Sequence, residues 1–169
     1  MEIWKLVNIL SRGFAFLWTV LVMALTGNMI NDWNHGNGGI VNYSLFVSVF
    51  GMLTLLFLIP ASVKEAWGLH PLLPLLLDLL NVIFWFCGAV AFAAEIGAHS
   101  CGNQSYLHTN GIMQGSSKRC HESQATTAFL WFGWAAFTFS CIYSGMAARG
   151  GANVRPSGIR RSGPAMSQV

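Results

Sequence analysis

The sequence predicts an all-α membrane protein built as a bundle of four transmembrane helices. Hydrophobic residues make up 54% of the 169 residues and charged residues only 9%, whereas a soluble domain has about 25% charged residues. The apolar residues fall into four blocks separated by short polar stretches, and a helix needs roughly 20 such residues to cross the hydrocarbon core. Backbone groups in lipid must bond within their own segment and four segments cannot close a barrel, so the blocks are predicted to be helices.

The predicted spans, in chain order, cover residues 13–30, 43–60, 72–98 and 125–147. Lys5 and Arg12 precede the first block as they would in a signal peptide, but the long apolar stretch without a small-residue cleavage site favours a retained anchor. The second block ends at Pro60, and the third is the longest. Together they predict a membrane domain over residues 1–148.

The distribution of basic residues predicts that both termini are cytosolic. Lys and Arg concentrate in the short cytosolic loops of membrane proteins. Seven basic residues fall on the side of the termini, namely Lys5, Arg12, Lys64, Arg149, Arg155, Arg160 and Arg161. Only two, Lys118 and Arg119, fall on the opposite side.

The third connection therefore lies in the lumen or outside the cell, where disulfides persist. It contains Cys101 and Cys120, one near each membrane end of the loop, and a bridge between them would join the third helix to the fourth. The alternative is a zinc site that also uses histidines of the same loop, His99, His108 and His121. The spacing lacks the closely paired ligands typical of zinc sites, and the compartment favours oxidation, so the disulfide is preferred and no metal is expected.

The same loop contains Asn103-Gln104-Ser105, which matches the acceptor pattern for N-glycosylation on the appropriate side of the membrane. Asn103 is therefore a candidate acceptor, but its closeness to the bilayer argues against occupancy.

Two polar residues interrupt the third span. Asp78 and Asn81 are three residues apart and therefore lie on one face of the helix. An intramembrane carboxylate suggests an ion path or a proton relay. The alternative is structural, with Asp78 facing the bundle and hydrogen-bonded to Asn81 or to a neighbouring helix. A transport pathway normally uses several ionisable groups, which favours the structural role.

Residues 149–169 form a Gly-, Ser- and Pro-containing basic tail without apolar periodicity, which predicts disorder. Its arginines could contact anionic lipid of the inner leaflet or a cytosolic scaffold, or could serve only to fix the topology. These residues are Arg149, Arg155, Arg160 and Arg161.

The sequence contains no catalytic motif, no phosphate-binding glycine loop and no basic surface typical of nucleic-acid binding. We therefore expect neither an enzyme nor a nucleic-acid-binding protein, and no cofactor.

The outer loop and its surroundings resemble the fungal non-classical export protein family, small four-span proteins with a MARVEL domain. The residues that carry the resemblance are Ala98-His99-Ser100-Cys101, Asn103, Ser105-Tyr106, Asn110, Gln114-Gly115-Ser116, Arg119-Cys120, Gln124-Ala125, Asp78-Leu79-Leu80-Asn81 and the final Ser167-Gln168-Val169. The similarity is greatest from the third span through the fourth.

The resemblance implies a plasma-membrane organiser associated with eisosomes and the furrow-like compartment above them. It implies a response to sphingolipid state, eisosome scaffold proteins as partners, and a role in protein localisation or signal-less export, with the endoplasmic reticulum or secretory vesicles as further locations. Small residues recur every fourth position on the third span (Ala89, Ala93 and Gly97) and on the fourth (Ala136, Ser140, Ser144 and Ala148), which could form helix contacts within the bundle or between copies in a homo-oligomer. The competing hypothesis is a small-solute or ion transporter that uses Asp78.

Overall fold

The structure is a computed structural model that describes residues 2–32, 38–63 and 72–153. Lys64 and the tail residues Arg155, Arg160 and Arg161 lie outside the described residues. The described residues form five helices: α1 (Glu2–Asn31), α2 (Gly39–Val63), α3 (Leu72–Ile96), the short α4 (Gln104–Thr109) and α5 (Ser117–Asn153). All except α4 are long and apolar enough to cross a membrane, which confirms the predicted all-α fold with four candidate spans.

Most helix boundaries differ from the predicted ones: α2 begins at Gly39 and α5 at Ser117, ahead of residues 43 and 125, while α3 ends at Ile96, short of residue 98. Helix α1 begins at Glu2, well before residue 13. Helix α2 continues past Pro60 to Val63, because membrane helices tolerate proline where neighbouring groups satisfy the freed carbonyls. Helix α5 continues to Asn153, beyond the domain boundary predicted at residue 148. Its 37 residues correspond to about 55 Å, so it must extend beyond a hydrocarbon core of about 30 Å.

The four long helices pack as a ring in which α1 contacts α2 and α5, and α3 contacts α5 and α2. The α2–α3 contact is the least extensive of the four. Helices α1 and α3 therefore face each other across the diagonal of the bundle.

Trp85 of α3 fills the centre of the bundle and is fully buried. Its ring packs on Phe137 with the ring centroids 5.3 Å apart. It also lies directly on the α5 backbone, because a Cβ added to Gly133 would come within 2.1 Å of its Cζ3 atom. The close contact between α3 and α5 therefore requires a glycine at position 133.

Small residues that recur every fourth position line a buried seam on α5. These residues are Ala136, Ser140, Ser144 and Ala148. Ser11 of α1 donates a hydrogen bond to the Ala136 carbonyl oxygen at 3.0 Å and lies 3.1 Å from the Ser140 hydroxyl. Because lipid provides no hydrophobic drive for association, such close packing and polar contacts hold the helices together.

Candidate functional site

A buried ion pair joins α1 to α3 across the diagonal of the bundle. The two terminal nitrogens of Arg12 donate to the two carboxylate oxygens of Asp78, Nη1 to Oδ1 at 3.1 Å and Nη2 to Oδ2 at 2.9 Å. The side chains are 2% and 0% exposed. Paired parallel hydrogen bonds of this kind are among the strongest and most directional in proteins.

Helix α5 completes the same network through Ser144. Its hydroxyl donates to Asp78 Oδ2 at 2.6 Å and accepts from Arg12 Nη2 at 3.3 Å. Three of the four membrane helices therefore meet at one carboxylate. The structure thus bears out the alternative in which Asp78 faces the bundle and bonds to a neighbouring helix.

The sequence interpretation treated Arg12 only as a topology charge and missed this contact. Arg12 lies six residues inside the candidate span that starts at Leu6, about 9 Å along the helix. The signal was available in the spacing of Asn8, Arg12 and Thr19, which lie on one face of α1 and are all buried. A polar stripe on an otherwise apolar membrane helix indicates a face turned toward protein.

Asn81 lies on the same side of α3 as Asp78, as predicted, but the hydrogen bonds of the two side chains go to different helices. Asn81 Nδ2 donates to Thr54 Oγ1 of α2 at 2.8 Å and to the Leu77 carbonyl oxygen at 2.9 Å. Thr54 in turn donates to the Gly51 carbonyl oxygen at 2.9 Å. Asn81 thus strengthens the α2–α3 contact, while Asp78 connects α3 to α1 and α5.

This geometry favours a cross-link over a conduction path. Within the described part of the chain, the Asp78 carboxylate is fully buried, and an arginine supplies its counter-charge. Charged side chains inside a membrane are costly unless paired, and here the pairing also fixes the relative positions of three helices.

The opposite end of the bundle is closed by a disulfide between Cys101 and Cys120, whose Cα atoms are 5.7 Å apart. Both cysteines are buried. Cys120 lies in the first turn of α5, and Cys101 lies shortly after the end of α3. The bridge therefore joins these two helices as the sequence interpretation expected.

Arg119, next to Cys120, fastens the loop to the end of α1. Its Nε donates to the Ile112 carbonyl oxygen at 2.8 Å, and its Nη1 donates to the carbonyl oxygens of Met29 at 2.7 Å and Asp32 at 3.2 Å. The side chain is only 4% exposed. Since the last carbonyl groups of a helix have no partner within it, Arg119 satisfies two of them at the end of α1. The sequence interpretation used Arg119 to count loop charges and as part of the family resemblance, and it assigned no contact to the residue.

Two further loop residues bond to the end of α3. The Tyr106 hydroxyl donates to the Ile96 carbonyl oxygen, and Asn110 Nδ2 donates to the Glu95 carbonyl oxygen at 2.9 Å. Burial raises the pKa of the Tyr106 hydroxyl, which keeps it in its donor form. Asn110 Oδ1 also accepts from the Ile112 amide at 2.9 Å. One asparagine thus connects the end of α3 to the turn that follows α4.

A tight turn then leads from α4 back toward α5. Gln114 and Gly115 both have positive φ, 48° and 78°, and a Cβ on Gly115 would lie 3.0 Å from the His108 ring. The His99 ring packs on Tyr106 with centroids 4.7 Å apart, and Gln124 Nε2 donates to the His99 carbonyl oxygen at 3.2 Å. The loop is therefore a packed unit held by its own side chains.

The remaining predicted site residues are placed as follows. Asn103 is exposed and caps α4, with Oδ1 accepting from the Tyr106 amide at 3.4 Å. Arg149 is exposed near the end of α5. No group of three or more metal-ligating side chains occurs among the residues that the structure describes.

These loop contacts involve the residues that carry the resemblance noted in the sequence, and the comparisons with known proteins agree. The membrane-associating MARVEL domain matches residues 4–143. The chain belongs to the MARVEL family. The matched region includes all four candidate spans except the last turns of α5.

Three curated relatives align with this MARVEL chain over nearly its whole length. Non-classical export protein 102 of Candida albicans is 38% identical, over 96% of this chain and 97% of its own. Non-classical export protein 2 of Saccharomyces cerevisiae is 37% identical, over 96% of each chain. Its homolog 1 from the same yeast is 35% identical, over 98% of this chain and 97% of its own. No solved structure matches the chain.

Proposed function

We propose that this MARVEL chain is a non-enzymatic organiser of the plasma membrane. It would act in eisosome-associated, furrow-like compartments, respond to sphingolipid state, and help to localise proteins or to export proteins that lack a signal. The observation that carries the proposal is the Arg12–Asp78–Ser144 network, which makes the membrane domain a cross-linked body without a free intramembrane carboxylate at this position.

Such a body can act on the bilayer through its outer surface. Large apolar side chains face outward along the spans, among them Leu53, Phe132 and Phe139. A rigid bundle whose apolar length differs from the local bilayer thickness perturbs that bilayer at a cost of fractions of a kcal/mol per Å. Sphingolipids thicken a membrane, so the same surface would favour particular lipid compositions.

The basic tail provides a second contact in this proposal. Arg149 is exposed at the end of α5, and Arg155, Arg160 and Arg161 follow it in sequence. With the termini in the cytosol, each arginine near the anionic leaflet would contribute on the order of 1 kcal/mol. A cytosolic scaffold protein could use the same charges.

The test is microscopy of a tagged copy in a fungal cell that lacks its own relative of this chain. The full chain is expected to form cortical patches that redistribute when sphingolipid synthesis is inhibited. A variant with Arg149, Arg155, Arg160 and Arg161 replaced by glutamine should reach the membrane but form fewer patches. A uniform cortical signal from the full chain would refute the organiser role, and unchanged patches in the variant would remove the tail from it.

The transport hypothesis is tested separately in liposomes. An Asp78-dependent transporter would produce solute or ion flux that Asp78→Asn abolishes. We expect no flux from the parent chain, because the carboxylate is fully buried and paired with Arg12.

A further inference from the structure

Two polar atoms without a hydrogen-bond partner among the described residues lie at the centre of the bundle. They are the indole Nε1 of Trp85 and the amide Oδ1 of Asn81. Both side chains are 0% exposed. Trp85 lies 13 residues after Leu72, the first of the 25 residues of α3, which is about 20 Å along a helix of about 37 Å. At this depth lipid offers no hydrogen bond to either atom.

The two atoms are complementary to each other. An indole nitrogen only donates, and an amide oxygen only accepts. The amide nitrogen of Asn81 is already engaged, because Nδ2 donates to Thr54 Oγ1 and to the Leu77 carbonyl oxygen. Residues four apart on a helix have their Cβ atoms about 5–6 Å apart on one face. One small molecule that both accepts and donates can span that separation.

Both atoms face Gly51 of α2. A Cβ added to Gly51 would lie 3.2 Å from Trp85 Nε1, 3.5 Å from Asn81 Oδ1 and 3.4 Å from Phe137 Cζ of α5. Since Gly51 has no side chain, the donor and the acceptor flank one small space bordered by three helices. Contact distances of this size suit an occupant with the dimensions of a methyl group or a water molecule.

From these observations we propose that the core binds one water molecule, which accepts a hydrogen bond from Trp85 Nε1 and donates one to Asn81 Oδ1. Buried waters typically make about two to four hydrogen bonds to groups that otherwise have no partner. This water links the indole and the amide where α2 meets α3, the least extensive helix contact of the bundle. The inference goes beyond the proposed function and does not depend on it.

The first experiment observes the water by nuclear magnetic resonance of the purified full chain in detergent micelles. The Trp85 indole proton is identified by its contact with the Phe137 ring, whose centroid lies 5.3 Å from that of Trp85, and by its loss in Trp85→Phe. We expect a cross-peak between this proton and water that arises from contact and not from proton exchange. A hydrogen-bonded indole proton without that cross-peak would assign a direct bond to Asn81 and overturn the proposal.

Substitutions at Gly51 test the site by displacement. Gly51→Ala places a methyl group between the two atoms, so the water cross-peak should disappear and the indole proton should move upfield. Gly51→Ser brings a hydroxyl that can accept from the indole and donate to the amide. The unfolding equilibrium constant of Gly51→Ser should therefore be about three- to tenfold smaller than that of Gly51→Ala, the range for one neutral hydrogen bond. This order opposes helix propensity, which favours alanine.

Gly88 provides the matched control. It is buried in α3, and a Cβ added there meets no atom closer than 3.6 Å. Gly88→Ala should be more stable than Gly88→Ser, as helix propensity requires.

Two further results would overturn the proposal. Alanine more stable than serine at position 51 as well as at position 88 would mean that no water is displaced at Gly51. Loss of the water cross-peak in Thr54→Val would assign the signal to exchange through the Thr54 hydroxyl. If the Gly51 variants do not fold, the cross-peak in the parent chain decides the question.

Discussion

The two ends of the bundle are fastened by different chemistry. At the loop end, the Cys101–Cys120 disulfide joins two helices covalently. Side chains such as Arg119 and Asn110 donate hydrogen bonds to backbone carbonyl groups there. At the terminal end, the Arg12–Asp78 pair binds side chain to side chain inside the candidate spans of α1 and α3. A covalent bond and carbonyl contacts tolerate contact with water, whereas an ion pair in lipid is strong because water is excluded.

The difference indicates what each end depends on. The loop end depends on an oxidising compartment and on the exact shape of a turn. The terminal end depends on charge balance, since loss of one partner leaves the other buried and unpaired. Between them, packing alone holds Trp85 against Gly133.

The largest effect is expected at the terminal end. Asp78→Leu leaves the Arg12 guanidinium buried without its counter-charge, and arginine cannot deprotonate. We expect the free energy of unfolding to fall by about 3–5 kcal/mol, measured by detergent-induced unfolding in mixed micelles. Arg12→Leu should cost less, because a carboxyl group, unlike a guanidinium, has a neutral form. The Arg12→Leu/Asp78→Leu double variant should recover most of the loss. Additive losses in the double variant would mean that the two charges are not coupled.

The loop end should respond to loss of its disulfide. The Cys101→Ser/Cys120→Ser variant removes a bridge with a sequence separation of 19, and the chain-entropy relation gives a loss of about 3 kcal/mol. Amide exchange should increase in residues 97–116 and leave the region around Asp78 protected. Cys87→Ser, at a free cysteine, provides the control. Faster exchange around Asp78 would mean that the two ends are not independent.

The centre of the bundle should be sensitive to a single methyl group. Gly133→Ala places its Cβ within the Trp85 ring, and such overpacking typically costs about 1–3 kcal/mol. Gly27→Ala, where a Cβ meets nothing within 4 Å, should be neutral or slightly stabilising because alanine favours helix. Adding Trp85→Leu to Gly133→Ala should relieve the clash. Equal unfolding free energies for the two alanine variants would contradict the contact.

The smallest effect is expected at the exposed rim of the loop end. Lys118, by its hydrogen bond and then by its charge, lowers the pKa of Asp32 below its ordinary value of 3.8. The folded state therefore favours the ionised Asp32 carboxylate. The stabilisation from the Asp32–Lys118 pair is present above pH 3.8 and is lost as the pH falls through the lowered pKa. Asp32→Asn should remove a small stabilisation that high salt also removes. A difference in unfolding free energy between the parent chain and Asp32→Asn that grew as the pH was lowered would contradict this assignment.

Two predictions from the sequence agree with the structure, for different physical reasons. The four spans followed from composition, because the bilayer requires a minimum apolar length. The position of Asp78 toward the bundle followed from the cost of a carboxylate in lipid. The partner of Asp78 could not be predicted from the sequence, because Arg12 is 66 residues away in the chain. Helix α2 continues past Pro60 and α5 past residue 147, because the predicted spans end where the apolar residues end, while the helices extend beyond them.

Hydrophobic length and composition are local properties of the chain, so the sequence is sufficient to predict the membrane class, the spans and the cysteine-containing loop. Which charges are neutralised, and by which groups, depends on the packing of the helices. In the sequence, Arg12 and Arg119 are both interpreted as charges that flank the spans. In the structure, Arg12 balances a carboxylate, whereas Arg119 binds carbonyl groups at the end of a helix. These roles depend on which helices are neighbours, and that arrangement comes from packing contacts such as Trp85 on Gly133 between residues far apart in the chain.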